Sequence, residues 1–312
     1  MSVRSGCTGT HSESLALGRT VMATHGRKNN EVTMDGYIIT EPLNNGVEVV
    51  QFPAFAGFPE LVHAFSTRKG GVSTGHCATM NFRFGVGDED ANVRENYRRI
   101  FEVLGIPEGA EVWTAQTHTT NVRVVTAEDR GTGLVREVPY KDVDGLVTDV
   151  PGLALTVFSS DCVPVYLYDP VRKAIGVCHA GWRGTVGGIS AKTAELMRDT
   201  YGCDPANIHA VIGPSIGPEC FEVGEEVAEE FAMAFGESVI LRGESAGTQS
   251  EPVKPHVDLW LANKLSLMSA GLSEKHVSVC GLCTMCHPDV VFSHRASAGK
   301  RGSNAGFLMM KE

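Results

Sequence analysis

Cys162 and His179 carry the side chains that bind zinc or form acyl intermediates, and both sit in one short stretch, Ser159–Gly184 (SSDCVPVYLYDPVRKAIGVCHAGWRG). Two apolar runs, Val163–Tyr168 and Ala174–Cys178, are joined there by the turn dipeptide Asp169–Pro170. Asp161 and Cys162 precede the first run, and His179 follows the second, ahead of a Gly-Trp-Arg-Gly turn that can open a helix. Paired as a hairpin or as neighbouring strands, the two runs bring the thiol and the imidazole to the same end of a sheet. A buried cysteine and a hydrogen-bonded core histidine would give the same residues, so a third ligand is needed to decide. His118, at the corner Gln116-Thr117-His118 between two further strands, is a candidate.

Other motifs compete for chemistry. Gly71-Val72-Ser73-Thr74-Gly75 matches the G-x-S-x-G nucleophile elbow, but the next segment, His76–Asn81, is poor helix material. A glycine-rich loop that offers Arg68 and backbone N–H groups to an anion is the better reading. Cys280, Cys283, Cys286 and His287 resemble part of an iron–sulfur run, a haem-attachment motif or a zinc site. No fourth cysteine and no export signal accompany them, so a strand end with free or loosely redox-active thiols is the expectation. His11-Ser12-Glu13 imitates half of a zinc-deaminase signature, but no Pro-Cys-x-x-Cys follows it.

The elements that must position these residues come from the hydrophobic period. Strands are expected at 47–52, 62–67, 111–116, 121–126, 142–149, 153–158, 208–212, 276–280, 289–294 and 306–310, besides the two central runs. Helices are expected over Asp90–Leu104, capped by Asp90, over Val186–Tyr201 and Val223–Phe235, and from Asp258 to Gly271. Residues 242–254 read as a polar loop. Strands and helices mix without strict βαβ alternation, which points to an α/β, mixed α+β, fold. Residues 1–33 lack an apolar period and read as a disordered leader, leaving 34–312 as one domain.

With 42% hydrophobic and 21% charged residues over 312 positions, the chain is ordinary globular material. A net charge of −10 without a basic stripe argues against nucleic acid or an anionic membrane as partner. No apolar run approaches the roughly 20 residues of a membrane span. Nine cysteines, an odd number, and no secretory h-region read as reduced thiols in a cytoplasmic protein, monomeric or a small homo-oligomer.

Taken together, several blocks resemble the YfiH/YlmD-type family, named both for polyphenol oxidase (laccase domain) and for purine nucleoside phosphorylase activity. They include Phe65-Ser66-Thr67-Arg68-x-Gly70-Gly71, Asn81-Phe82-x-x-Gly85, Gln116-x-His118 and Asp144-Gly145-Leu146-Val147-Thr148. Ser160-Asp161-Cys162, His179-Ala180-Gly181-Trp182-Arg183-Gly184, Ile212-Gly213-Pro214 and Phe292-Ser293-His294-Arg295 complete a set that runs from about 47 to 310 in the family's order. The resemblance implies a single-domain sandwich of mixed sheets flanked by helices, a fold shared with cysteine-hydrolase-type domains. It also implies a Zn2+ site made by His118, Cys162 and His179, with the fourth position open as in a catalytic zinc.

The activities implied are phosphorolysis of adenosine, inosine, guanosine and methylthioadenosine, together with adenosine deamination. On this reading Arg68, Arg183 and Arg295 hold phosphate, Asp161 shuttles a proton, and Asn81 and Gln116 contact substrate. Thr119 stands where the family usually has Gly. The final block has Ala296 in place of a second arginine, for which Lys300 or Arg301 can compensate. Copper is possible at such a site, yet a multicopper oxidase centre needs His-x-His pairs and the chain has none. The serious alternative is a cysteine or zinc amidase that edits peptidoglycan precursors, with Cys162 as nucleophile and His179 as base.

Overall fold

The computed structural model describes residues 35–243 and 254–312. The leader reading, and most of the polar loop at 242–254, therefore lie outside the described residues. In chain order the elements are β1 (Ile38–Ile39), β2 (Val49–Gln51), β3 (Leu61–Ser66), α1 (Asp90–Leu104), β4 (Glu111–Trp113), β5 (Val122–Val124) and β6 (Gly145–Thr148). There follow β7 (Ala154–Ser159), β8 (Val163–Asp169), β9 (Ala174–Ala180), α2 (Trp182–Val186), α3 (Ile189–Tyr201) and β10 (His209–Ile212). The chain finishes with α4 (Glu225–Phe235), β11 (Ile240–Leu241), β12 (His256–Val257), α5 (Leu259–Ser269), β13 (Val277–Val279) and β14 (Asn304–Met310).

Two six-stranded mixed sheets result, ordered β1-β2-β3-β14-β7-β4 and β13-β10-β8-β9-β6-β5. Every residue of β7, β8, β9 and β14 is buried, which is why these strands read as continuous apolar runs rather than alternating ones. Between the sheets, Phe65, Leu155, Val157 and Leu308 meet Tyr166, Ile175, Val177 and Val211. On the outer face of the first sheet, Tyr97 and Phe101 of α1 pack on Phe307. On the outer face of the second, Val165 and Leu167 pack with Ala194, Met197, Phe231 and Leu267 from α3, α4 and α5. The molecule is thus a helix–sheet–sheet–helix sandwich, as the resemblance implied.

The central hairpin forms in the expected way. The Asp169 carboxylate accepts from the amides of Val171 (2.8 Å) and Arg172 (3.1 Å), a side-chain-capped turn. It sets an antiparallel β8–β9 register in which Pro164 faces His179 and Val163 faces Ala180.

Several expected boundaries move. The helix expected over 186–201 is α3 and starts later, at Ile189; a separate short helix, α2, precedes it and is parted from it at Gly187-Gly188, where Gly188 takes φ 75°. Residues 289–294 form turns, not a strand. Glu89 rather than Asp90 occupies the N-cap of α1, with no side-chain cap bond, and α4 begins at Glu225 instead of Val223. No helix among the described residues is long and apolar enough to cross a membrane.

Candidate functional site

The site is built around a buried carboxylate. Asp144 enters β6, and its Oδ2 accepts from the amides of Thr117 (3.1 Å) and Thr119 (2.9 Å) and from the Thr119 hydroxyl (2.9 Å). Its Oδ1 accepts from the His118 amide at 3.0 Å and from His179 Nδ1–H at 2.9 Å. Three successive N–H groups wrapped around one carboxylate fix the 117–119 corner, with His118 at φ 65°. Burial pushes the Asp144 carboxyl up, but the His179 bond and the backbone donors outweigh it and hold it at about 2. Thr119, the departure from the family pattern, adds a hydroxyl donor to this anchor. Asp144 is thus the organiser of the site.

With Nδ1 of His179 given to Asp144, its Nε2 is left for a ligand, the carboxylate–histidine arrangement that orients metal-binding imidazoles. His118 and His179 lie with ring centroids 4.9 Å apart and planes at 77°. Cys162 Sγ lies 3.8 Å from His118 Nε2. One nitrogen from each histidine and the sulfur all fall within 4.8 Å of one another. His179 is buried, Cys162 half-buried and His118 exposed, so the group opens to solvent on one side.

Gly181 supplies the space: a Cβ there would meet His118 Cδ2 at 2.6 Å and Cys162 Sγ at 3.3 Å. The donor set, one soft thiolate and two imidazoles converging over a cradle that excludes a Cβ, fits a tetrahedral zinc-class ion with a free position. Electrostatics agree with ligand duty. Burial raises the Cys162 thiol, but the His179 charge and hydrogen bonds from both histidines bring it down to about 6; burial likewise pulls His179 down, but the thiolate and Asp144 outweigh it and lift it to about 9.

The turn that carries Cys162 is clamped from several sides. The Ser159 hydroxyl donates to the Cys162 carbonyl. Asp161, at φ 99°, accepts the Thr284 hydroxyl on Oδ1 and the Arg295 amide on Oδ2, both at 2.6 Å, and its carbonyl accepts the Ile216 amide at 2.9 Å.

The side chains of the other residues expected at the site have partners of their own or face solvent. Arg68 directs its guanidinium at carbonyls, Nε (3.0 Å) and Nη2 (2.8 Å) to Ala78 and Nη1 to Pro288 (2.6 Å), and lies over the Phe292 ring; it struts two loops together. Arg183 is exposed and stacks on Trp182. Arg295 donates to the Glu222 carbonyl. Asn81 is fully buried and uses its amide on Arg83, Asp88 and Ser303. Gln116 bridges Thr114 and both backbone groups of Phe158.

Two cavities adjoin each other, and the first reaches the corner. One, of about 430 Å³, has aromatic walls from Phe84, Trp113, Tyr140 and Phe158, with Gln116 and Thr117 just before His118. The second, of about 540 Å³, is basic, with Arg83, Lys300, Arg301 and the imidazoles of His76 and His294. Arg83 and Phe84 line both. Burial lowers the Arg301 guanidinium, partly offset by the charges of Asp161 and Cys162, so this arginine lies within electrostatic reach of the Cys162 turn. Its Nε is buried without a hydrogen-bond partner. Arg83 escaped the sequence reading because nothing in a lone loop arginine marks it.

The chain belongs to the family described as multi-copper polyphenol oxidoreductase laccase, whose model matches residues 62–311. It is 36% identical to the purine nucleoside phosphorylase YlmD of Bacillus subtilis over 255 residues, 81% of this chain and 90% of the relative. It is 34% identical to adenosine deaminase RL5 from an unknown prokaryotic organism, over 81% of this chain and 94% of the relative. The crystal structure of Bacillus licheniformis YfiH superposes with TM-score 0.77 at 32% identity, covering 84% of this chain and 96% of that one. Despite the family's description, among the described residues only one histidine-containing group could hold a metal, enough donors for a single ion.

Proposed function

We propose that this chain is a zinc-dependent purine nucleoside phosphorylase that also deaminates adenosine, acting on adenosine, inosine, guanosine and methylthioadenosine. The observation that carries the reading is the His118–Cys162–His179 group together with an aromatic cavity that reaches Gln116 and Thr117 and a basic cavity that shares Arg83 and Phe84 with it. The names of relatives, purine nucleoside phosphorylase and adenosine deaminase, support the same pair of activities.

His118, Cys162 and His179 would hold the zinc, which would supply Lewis acidity there. The protein's own groups do the rest. Phe84, Trp113 and Phe158 offer faces and edges against which a purine stacks. Arg83, Arg301 and Lys300 take the place proposed for phosphate donors, since their cavity is open whereas the Arg68 fork is taken up by carbonyls. In phosphorolysis a phosphate oxygen bonds C1′ of the ribose as the glycosidic bond breaks, the purine leaves with the bonding pair and takes a proton on a ring nitrogen, and the dianion offsets positive charge on the sugar. In deamination water adds to C6 and ammonia leaves. Asp161, next to Cys162 and hydrogen-bonded to the Thr284 hydroxyl, is assigned the proton transfer.

A second reading has its own observation. A thiol held down near 6 beside two imidazoles is also a ready nucleophile for an amide, with Cys162 attacking and His179 as base. One experiment separates them: turnover of adenosine with and without phosphate, by chromatography, on protein of measured zinc content. Adenine and ribose 1-phosphate that appear only with phosphate and vanish on zinc removal support the proposal. Amide cleavage that persists without zinc and stops on alkylation of Cys162 would replace it.

A further inference from the structure

A second cluster of sulfur lies outside the site described above. Cys220, Cys283 and Cys286 place their sulfurs within 4.8 Å of one another, with Cys220 and Cys286 at 3.3 Å. Topology brings them together. β10 and β13 are parallel neighbours, with Ile212 facing Val279, so the chain leaves both strands at the same end of the sheet. Pairing continues past the strands: the Ser215 amide donates to Leu282, and the Thr284 amide returns to Ser215. Cys220 follows in the first loop, and Cys283-Thr-Met-Cys286 turns back in the second, closed by the His287 amide on the Cys283 carbonyl. Cys280, the other thiol of that stretch, points elsewhere; it is buried in the core between the sheets.

We propose that Cys220, Cys283 and Cys286 are three sulfur ligands of a second metal site, for a thiophilic ion of the zinc class. The spacing fits such an ion. Zinc–sulfur bonds of about 2.3 Å at tetrahedral angles separate ligand sulfurs by about 3.8 Å. Cys220 and Cys286 sit 3.3 Å apart and the whole group lies within 4.8 Å, close enough to settle at that spacing around an ion, whereas a disulfide would require about 2.05 Å.

The Cys-x-x-Cys turn with a third cysteine from a neighbouring loop is a ligand pattern of structural zinc. The Gly217 amide donates to Cys283 Sγ at 3.2 Å, a bond that favours the thiolate a metal requires. Cys283 is buried while Cys220 and Cys286 are half-buried, so the cluster has a way in for an ion. On loading, three S–H bonds are replaced by three sulfur–metal bonds and the protons pass to solvent. The ion would tie together the two loops whose Thr284 and Ile216 hold Asp161 in place beside Cys162.

The test uses the full chain as Cys162→Ser, which removes the only thiolate of the first site. Reduced protein is titrated with Co2+. The expected result is a thiolate-to-cobalt charge-transfer band that saturates near about one equivalent and is lost in Cys162→Ser/Cys283→Ser. If the double variant does not fold, the parent still decides: bound Zn2+ should protect Cys220, Cys283 and Cys286 from iodoacetamide, mapped by peptide mass. Absence of the band, or equal alkylation with and without Zn2+, overturns the site. So does recovery of Cys220–Cys286 as a disulfide under reducing buffer.

Discussion

Asp144 Oδ1 accepts from Nδ1 of His179 at 2.9 Å while the same carboxylate gathers the three amides of residues 117–119. One side chain thereby sets the tautomer of His179 and the backbone that carries His118. Asp144→Asn keeps the shape and removes the charge. Zinc affinity is expected to fall about 10- to 100-fold, the usual cost of losing such a partner. Competition with a chromophoric chelator measures it, and unchanged affinity would remove Asp144 from the site's design.

The same carboxylate gives an acid signature in metal-free protein. Its pKa is lowered from 3.8 to about 2, so its contribution to stability is present above about pH 4 and is lost as pH falls through about 2. The full linkage is on the order of 2 kcal/mol. Denaturant unfolding of chelated protein should show this loss, and Asp144→Asn should lack it.

In chelated protein the Cys162 thiol, held at about 6 by His179 and His118 against burial, should be the fast-alkylating cysteine. Its rate should rise through a midpoint near pH 6, and zinc should suppress it. A midpoint in the ordinary thiol range would show that the imidazoles do not stabilise the thiolate.

Gly181 has φ −64°, which any residue can adopt, so only space demands glycine there. Gly181→Ala puts a methyl 2.6 Å from the His118 ring. Zinc occupancy should drop at least about tenfold while the metal-free melting temperature moves little, because His118 is exposed and can swing away. Elemental analysis beside calorimetry distinguishes this from a general packing defect.

The arginines separate by what their guanidinium groups touch. Arg301→Met and Arg83→Met should raise the KM for phosphate by about 10- to 100-fold, the loss of one or two charge-assisted bonds, with deamination nearly unchanged. Arg68→Met should instead destabilise the fold by about 1–3 kcal/mol, since it leaves the Ala78 and Pro288 carbonyls without donors. The opposite pattern would return the phosphate role to Arg68.

The features legible in the sequence are the local ones. The β8–β9 hairpin announces itself by two apolar runs and a turn dipeptide, so the meeting of Cys162 and His179 is a matter of short-range sequence. α1 is legible from its apolar period and the glycine that ends it. Asp144 is not, because an aspartate before glycine looks like a turn residue until the 117–119 amides fold onto it. Arg68 looks like an anion-binding residue for the converse reason: the carbonyls that consume its fork arrive from distant loops. Cys220 cannot be linked to Cys283 and Cys286 without knowing that β10 and β13 run side by side in parallel.

The pairing of β3 with β14, Phe65 opposite Gly306, places one of the last segments of the chain in the interior of the first sheet. His118, Asp144, Cys162 and His179 span a far shorter interval, gathered by the β8–β9 hairpin, β6 and the corner beside it, with the clamp of Thr284 and Arg295 on Asp161 added from later in the chain. Closing a long loop costs more entropy than closing a short one, and such distant strand pairing forms slowly. The order of assembly is therefore written into the topology: the ligand cradle can be gathered by short-range contacts while the first sheet still waits for its central strand. Metal captured at that stage would act on the folding chain as a nucleus, before there is a finished enzyme for it to serve.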